Sequence, residues 1–179
     1  ATILVNDSLK GGLFMRIILL SDTHGDFFTA HEIVKRHLRD ADCFIHLGDG
    51  FREWEDLRDL YPDKQMLYSR GNCDLGSDEK SAGTLSCENG HRIFYTHGHL
   101  YRVKYGFDDL MKAARDAGCD IVLFGHTHQA CRYYEDGLYL MNPGSPCCPR
   151  DSKPGYGMID ITDAGVVCNN VVWKPGGMR

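Results

Sequence analysis

The stretch Arg16-Ile17-Ile18-Leu19-Leu20-Ser21-Asp22-Thr23-His24-Gly25 is a short apolar strand that stops at a polar turn bearing a carboxylate and an imidazole. The same arrangement recurs along the chain. Cys43-Phe44-Ile45-His46-Leu47 ends at Gly48-Asp49-Gly50, and Gln65-Met66-Leu67-Tyr68 leads to Gly71-Asn72-Cys73-Asp74. Residues 91–95 run into Thr96-His97-Gly98-His99, and residues 120–124 into Gly125-His126-Thr127-His128. In α/β sheets, loops at the carboxyl ends of strands converge while the strands hold them in place. The five clusters therefore read as one shared site.

Helical segments separate the first strands. Ala30, Ile33, Val34 and Leu38 share one apolar face, with Asp26 as N-cap. A second helix is expected over residues 53–60, and Phe107, Leu110, Met111 and Ala114 mark a third. Glu88-Asn89-Gly90 turns a hairpin between residues 83–87 and 91–95. The last third is rich in strand, pairing 131–135 with 138–141 and 156–161 with 166–172. The class is α/β.

Bulk properties narrow the function. With 179 residues, 42% of them hydrophobic and 25% charged, the chain suits one ordinary globular domain. A formal charge of −5 without any Lys/Arg-rich block argues against a broad nucleic-acid surface. A small phosphate ester fits that charge better than a long polyanion. The apolar run at residues 17–20 is too short for a membrane span or signal peptide, so no membrane partner is expected. The eight cysteines then read as reduced thiols of a cytoplasmic protein, and no C-x₂-C pair suggests structural zinc. Adjacent Cys147 and Cys148 read as ordinary loop thiols. Residues 1–14 read as a leader or appended segment of no assigned function, leaving one domain over 15–179.

Divalent cations take carboxylate oxygens and imidazole nitrogens, with amide carbonyls as neutral additions. Asp22 and His24, two apart on extended chain, can grip one ion. Asp49, between two glycines, has room to bridge two, and Asn72 offers a carbonyl. His97, His126 and His128 add imidazoles. Two adjacent cations would lower the pKa of a water between them and bind phosphoryl oxygens, so no protein nucleophile is needed. Neither a phosphate-binding Gly-x₄-Gly-Lys loop nor an Asp-x-Asp nucleophile motif appears.

Asp22-Thr23-His24, Gly48-Asp49, Gly71-Asn72, His97 and Gly125-His126-Thr127-His128 resemble the ordered signature of the calcineurin-like metallophosphoesterases. Gly71-Asn72-Cys73-Asp74 and Asn142-Pro143-Gly144-Ser145 make the chain most similar to the small prokaryotic phosphodiesterase branch. The resemblance covers nearly everything from Met15 onward. It implies a four-layer sandwich of two packed mixed β-sheets flanked by helices. It further implies that Asp22, His24 and His128 hold one metal, that Asn72, His97 and His126 hold a second, and that Asp49 bridges them. Manganese is the first expectation, with nickel, zinc or iron as alternatives. The implied substrate is a small phosphate ester, nucleotide-derived in one reading, and relatives are often homo-oligomers.

The candidate catalytic residues are Asp49, Asn72, Cys73 and His99. Many relatives carry a His, donating a proton to the leaving group, where this chain has Cys73. Two nearby cations would favour the thiolate and oppose that role. Aryl leaving groups are therefore expected to outpace alkyl ones, with Cys73 as plain loop filler the other reading. His99 either takes over acid duty or orients His97; Asp74 either orients an imidazole or caps a turn. Arg150 is a phosphate clamp or a surface ion pair, and backbone shape alone accounts for Ser145. The function expected is phosphodiester hydrolysis, with phosphomonoester hydrolysis and a non-catalytic retromer-type scaffold of the same fold as alternatives.

Overall fold

The computed structural model describes residues 13–176. Of the leader expected over residues 1–14, residues 1–12 lie outside that range. Phe14 already pairs with Thr162, so the first strand begins one residue before Met15.

Ten strands and three α-helices are described: β1 (Phe14–Leu20), α1 (Phe27–Arg36), β2 (Cys43–His46), α2 (Phe51–Leu60), β3 (Gln65–Tyr68), β4 (Ala82–Ser86), β5 (Arg92–Thr96), α3 (Asp108–Asp116), β6 (Ile121–Leu123), β7 (Cys131–Glu135), β8 (Leu138–Asn142), β9 (Gly155–Thr162) and β10 (Gly165–Val172). They form two mixed five-stranded sheets, ordered β10-β9-β1-β2-β3 and β4-β5-β6-β8-β7. Strand positions agree with the sequence pattern to within a few residues. Leu38, expected on the first helix, falls after its end but still packs on the same core.

The alternation along β1 divides the interior. Ile18 and Leu20 face α1 and α2, joined by Phe44, Trp54 and Leu57. Ile17 and Leu19 face the opposite sheet, meeting Ile45, Ile93, Ile121 and Met141. A third cluster seats Leu110, Met111 and Ala114 of α3 on Val122 and Leu140 of the second sheet. Helices, sheet, sheet and helix thus stack as four layers, because strands buried on both faces must be covered on both. Among the described residues, no helix is long and apolar enough to cross a membrane.

Parallel pairing decides where the site lies. β1, β2 and β3 run parallel in one sheet, and β5, β6 and β8 in the other. Loops leaving their carboxyl ends meet at the sheets' common edge. Asp26 accepts from the Thr29 amide at 3.0 Å and from its hydroxyl at 2.8 Å, so α1 starts directly after the first of these loops.

Candidate metal centre

The site is built on backbone that side chains ordinarily avoid. Asp22, His24, Asp49, His126 and His128 all have φ between 45° and 67°, in the left-handed region. Each such residue costs on the order of 1 kcal/mol and persists only where its surroundings over-determine it. Here backbone bonds lock the loops together. The Asp22 amide donates to the Gly48 carbonyl and the His24 amide to the Asp49 carbonyl, both at 2.9 Å.

Beneath these loops lies a buried polar chain that the sequence reading missed. The Gly48 amide donates to His46 Nδ1 at 3.2 Å, which leaves the proton on Nε2, facing the Thr23 hydroxyl at 2.9 Å. That hydroxyl donates to Glu53 Oε1 at 2.7 Å, and the Gly25 amide does likewise at 2.7 Å. Burial lowers the His46 pKa to about 4, keeping it neutral. Two signals pointed here: a His inside an otherwise apolar strand, and a Glu in a helix's first turn.

Asp74 fastens a third loop. Its carboxylate accepts from the amides of Asp49, Gly50, Phe51 and Gly71 and from the Tyr68 hydroxyl. Burial opposes its ionisation, but the Tyr68 hydroxyl and these amides hold it below the usual carboxylate range. Of the two roles anticipated for Asp74 it takes the cap: it closes its own turn on the Gly71 amide and also gathers the amides of Asp49, Gly50 and Phe51. Asn142, at the end of β8, donates to the Gly125 carbonyl at 2.9 Å and the Thr127 hydroxyl at 3.0 Å. Ser145 does more than suit a turn, since its hydroxyl donates to the Asp22 carbonyl at 2.8 Å. The rule that led to the other loops applies to this strand end as well.

The expected ligands converge. His97 Nε2 lies 3.1 Å from Asn72 Oδ1, 3.2 Å from His126 Nδ1 and 3.5 Å from Asp49 Oδ2. His24 Nε2 lies 3.2 Å from His128 Nε2 and 4.0 Å from Asp49 Oδ2. Asp22 Oδ1 stands 3.2, 3.9 and 4.0 Å from Nε2 of His128, His24 and His97. Among the described residues three sets of three have donor atoms within 4.8 Å of one another: Asp22 with His24 and His128, Asp22 with Asp49 and His97, and His24 with Asp49 and Cys73.

Three details fit a cation among these atoms. Asp22 Oδ2 is occupied by the Ser21 hydroxyl and the His126 amide, whereas Oδ1 is buried with no hydrogen-bond donor. An orphaned buried carboxylate oxygen is costly unless an ion meets it. His97 Nδ1 donates to the Leu47 carbonyl at 2.6 Å, so in the neutral ring Nε2 is a bare lone pair facing the carbonyl oxygen of Asn72. His128 Nδ1 likewise donates to the Cys148 carbonyl at 2.6 Å, turning Nε2 toward Asp22. Carbonyls that fix imidazole tautomers in this way are the usual support of metal-binding histidines.

Electrostatics follow from this crowding. Burial would raise the Asp22 pKa, yet the His128 and His97 imidazoles and the Ser21 hydroxyl bring it below normal. Asp22 raises His128, while burial and the neighbouring His97 lower His126 to about 4. Burial and Asp49 push the Cys73 thiol up to about 11.

The remaining candidates differ in their engagement. Cys73 is exposed, and its amide donates to Asp49 Oδ1 at 2.7 Å. His99 packs 5.3 Å from the His97 ring and 6.1 Å from His126, with its Nδ1 buried and unpartnered. Its contact with His97 is ring packing, while the hydrogen bond that holds the His97 ring goes to the Leu47 carbonyl. Arg150 donates its amide to the His128 carbonyl at 2.9 Å, and its exposed side chain makes no ion pair among the described residues.

The sequence model of the calcineurin-like phosphoesterase superfamily domain matches residues 15–164. A probable metallophosphoesterase of Bacillus subtilis, YsnB, is 33% identical over 156 residues, covering 86% of this chain and 89% of its own. The phosphodiesterase YfcE of Escherichia coli is 24% identical, covering 87% and 93%. Among solved structures, a predicted phosphoesterase of Streptococcus pneumoniae superposes with a TM-score of 0.73 at 25% identity, covering 92% of this chain and 95% of its own.

Proposed function

Since the chain belongs to the calcineurin-like phosphoesterase superfamily, we propose that it hydrolyses a small phosphodiester at a pair of divalent cations, manganese foremost. Asp22, His24 and His128 would hold one cation, and Asn72, His97 and His126 the other, with Asp49 shared. The observation that carries the reading is the buried, donor-less Oδ1 of Asp22 amid the Nε2 atoms of His128, His24 and His97. The likeness to YfcE supports a diester over a monoester.

Two such cations, when bound, make water acidic enough to attack near neutral pH and offset the charge building on the phosphoryl oxygens. The protein's share is orientation. Ser21 and the His126 amide hold one Asp22 oxygen so that the other points inward. The Cys73 amide holds Asp49 Oδ1, which turns Oδ2 toward His97 and His24. The Leu47 and Cys148 carbonyls retain the Nδ1 protons of His97 and His128. With a cysteine in place of the histidine of many relatives, an alkoxide leaving group lacks a ready proton, whereas an aryl oxide does not need one.

The test compares aryl and alkyl phosphodiesters and an aryl monoester, with manganese and metal analysis, in the unaltered protein and in Asp49→Ala. Manganese-dependent hydrolysis should be fastest for the aryl diester. Asp49→Ala should lower it by about 100-fold or more, the upper end of what losing a supporting residue costs a metal site. A faster monoester would change the substrate class. Unchanged metal content and rate in Asp49→Ala would point to the scaffold instead.

A further inference from the structure

Cys73 is the candidate residue whose chemistry the proposed reaction leaves unused. Its Sγ, a ring nitrogen of His24 and a carboxylate oxygen of Asp49 lie within 4.8 Å of one another. Bonds of about 2.0–2.3 Å from nitrogen, oxygen and sulfur to a single cation bring three donors this close together. The residue is fastened to the carboxylate it accompanies, because its own amide donates to Asp49 Oδ1 at 2.7 Å. The Asn72 side-chain amide approaches the sulfur at 3.3 Å, placing Sγ as an acceptor at the edge of the cluster. Cys73 is in no disulfide and is exposed, so neither a covalent bond nor burial ties up the sulfur.

We propose that Cys73 is itself a metal ligand, its Sγ joining His24 and Asp49 on a shared cation, with the thiol proton passing to solvent on binding. This inference rests on the metal-dependent reading above and deepens it. A nitrogen, oxygen and sulfur donor set binds zinc, cobalt or cadmium better than it binds manganese, since thiolate favours softer ions. The position that donates a proton in many relatives would then be a seat for the metal. Loss of the sulfur should weaken cadmium affinity by on the order of 10-fold or more while manganese affinity changes far less.

Cobalt is a direct probe, because its visible d–d bands report occupancy whatever the ligands, whereas a near-ultraviolet charge-transfer band requires bound thiolate. The reduced, full-length protein is loaded with cobalt alone, alongside Cys73→Ser and Cys168→Ser. The expected result is a strong near-ultraviolet band in the unaltered protein and in Cys168→Ser. In Cys73→Ser that band is lost, while the visible bands and bound cobalt persist. Cobalt bound without the near-ultraviolet band, or a band that survives in Cys73→Ser, overturns the ligand role of Cys73 and leaves the phosphoesterase reading standing. Failure to bind cobalt at all overturns the ligand role of Cys73, and the manganese assay then decides the phosphoesterase reading separately. Should Cys73→Ser not fold, cadmium NMR of the unaltered protein decides, since a resonance outside the sulfur-ligated range overturns the proposal.

Discussion

His97 Nδ1 stands 2.6 Å from the carbonyl oxygen of Leu47, the residue that directly follows β2. That contact fixes the proton on one nitrogen and offers the other to the site. It also joins the two sheets, because His97 follows β5 of the second sheet and Leu47 follows β2 of the first. Orientation of the ligands is therefore a property of how the sheets meet.

The buried chain under the first two loops should matter to both stability and metal affinity. Glu53→Ala leaves the Thr23 hydroxyl and the Gly25 amide without their acceptor. Urea unfolding should show a loss of about 1–3 kcal/mol, the cost of unsatisfied buried donors. Manganese titration should show weaker binding, with Glu53→Gln recovering part of both. Unaltered manganese affinity in a folded Glu53→Ala would refute the positioning role.

Gly71 is where the third loop passes Asp49 too closely for any side chain. A Cβ there would overlap Asp49 Oδ1 and crowd its backbone nitrogen. Gly71→Ala should cost about 1–3 kcal/mol by overpacking, read as a lower Tm. Because the displaced atom is the carboxylate proposed to be shared, manganese-dependent hydrolysis should fall more steeply than stability. A variant with full activity would show that Asp49 can shift without consequence.

Acid sensitivity should include a contribution far from the site. Burial raises the Asp40 pKa, but the Arg16 guanidinium at 2.8 Å and the His37 ring outweigh it, so the folded value is depressed. A depressed folded pKa stabilises above the unfolded value, about 3.9 for Asp, and that stabilisation disappears as pH falls through the folded value. The Tm gap between the unaltered protein and Asp40→Asn should be full at pH 7 and close below about pH 4. Because this carboxylate is 41% exposed, the gap should be small and should shrink in salt. A gap that widened in acid would contradict the assignment.

Much of this protein was legible in the amino-acid order. A strand repeats every two residues and a helix about every 3.6, so local pattern placed the elements, and with them the five polar clusters at strand ends. Asp22, His24, Asp49, Asn72, His97, His126 and His128 stood out because their side-chain chemistry is intrinsic to each residue. Tertiary structure alone decided which strands share a sheet, since β1 pairs with β9 from the far end of the chain. It alone placed left-handed backbone at five of those seven positions, a strained conformation that no local sequence dictates and that inter-loop hydrogen bonds hold. His46 and Glu53 were marked by residue type, but their linkage through Thr23 and the Ser145 link to Asp22 emerged only there, for hydrogen bonds between distant residues leave no periodicity to read.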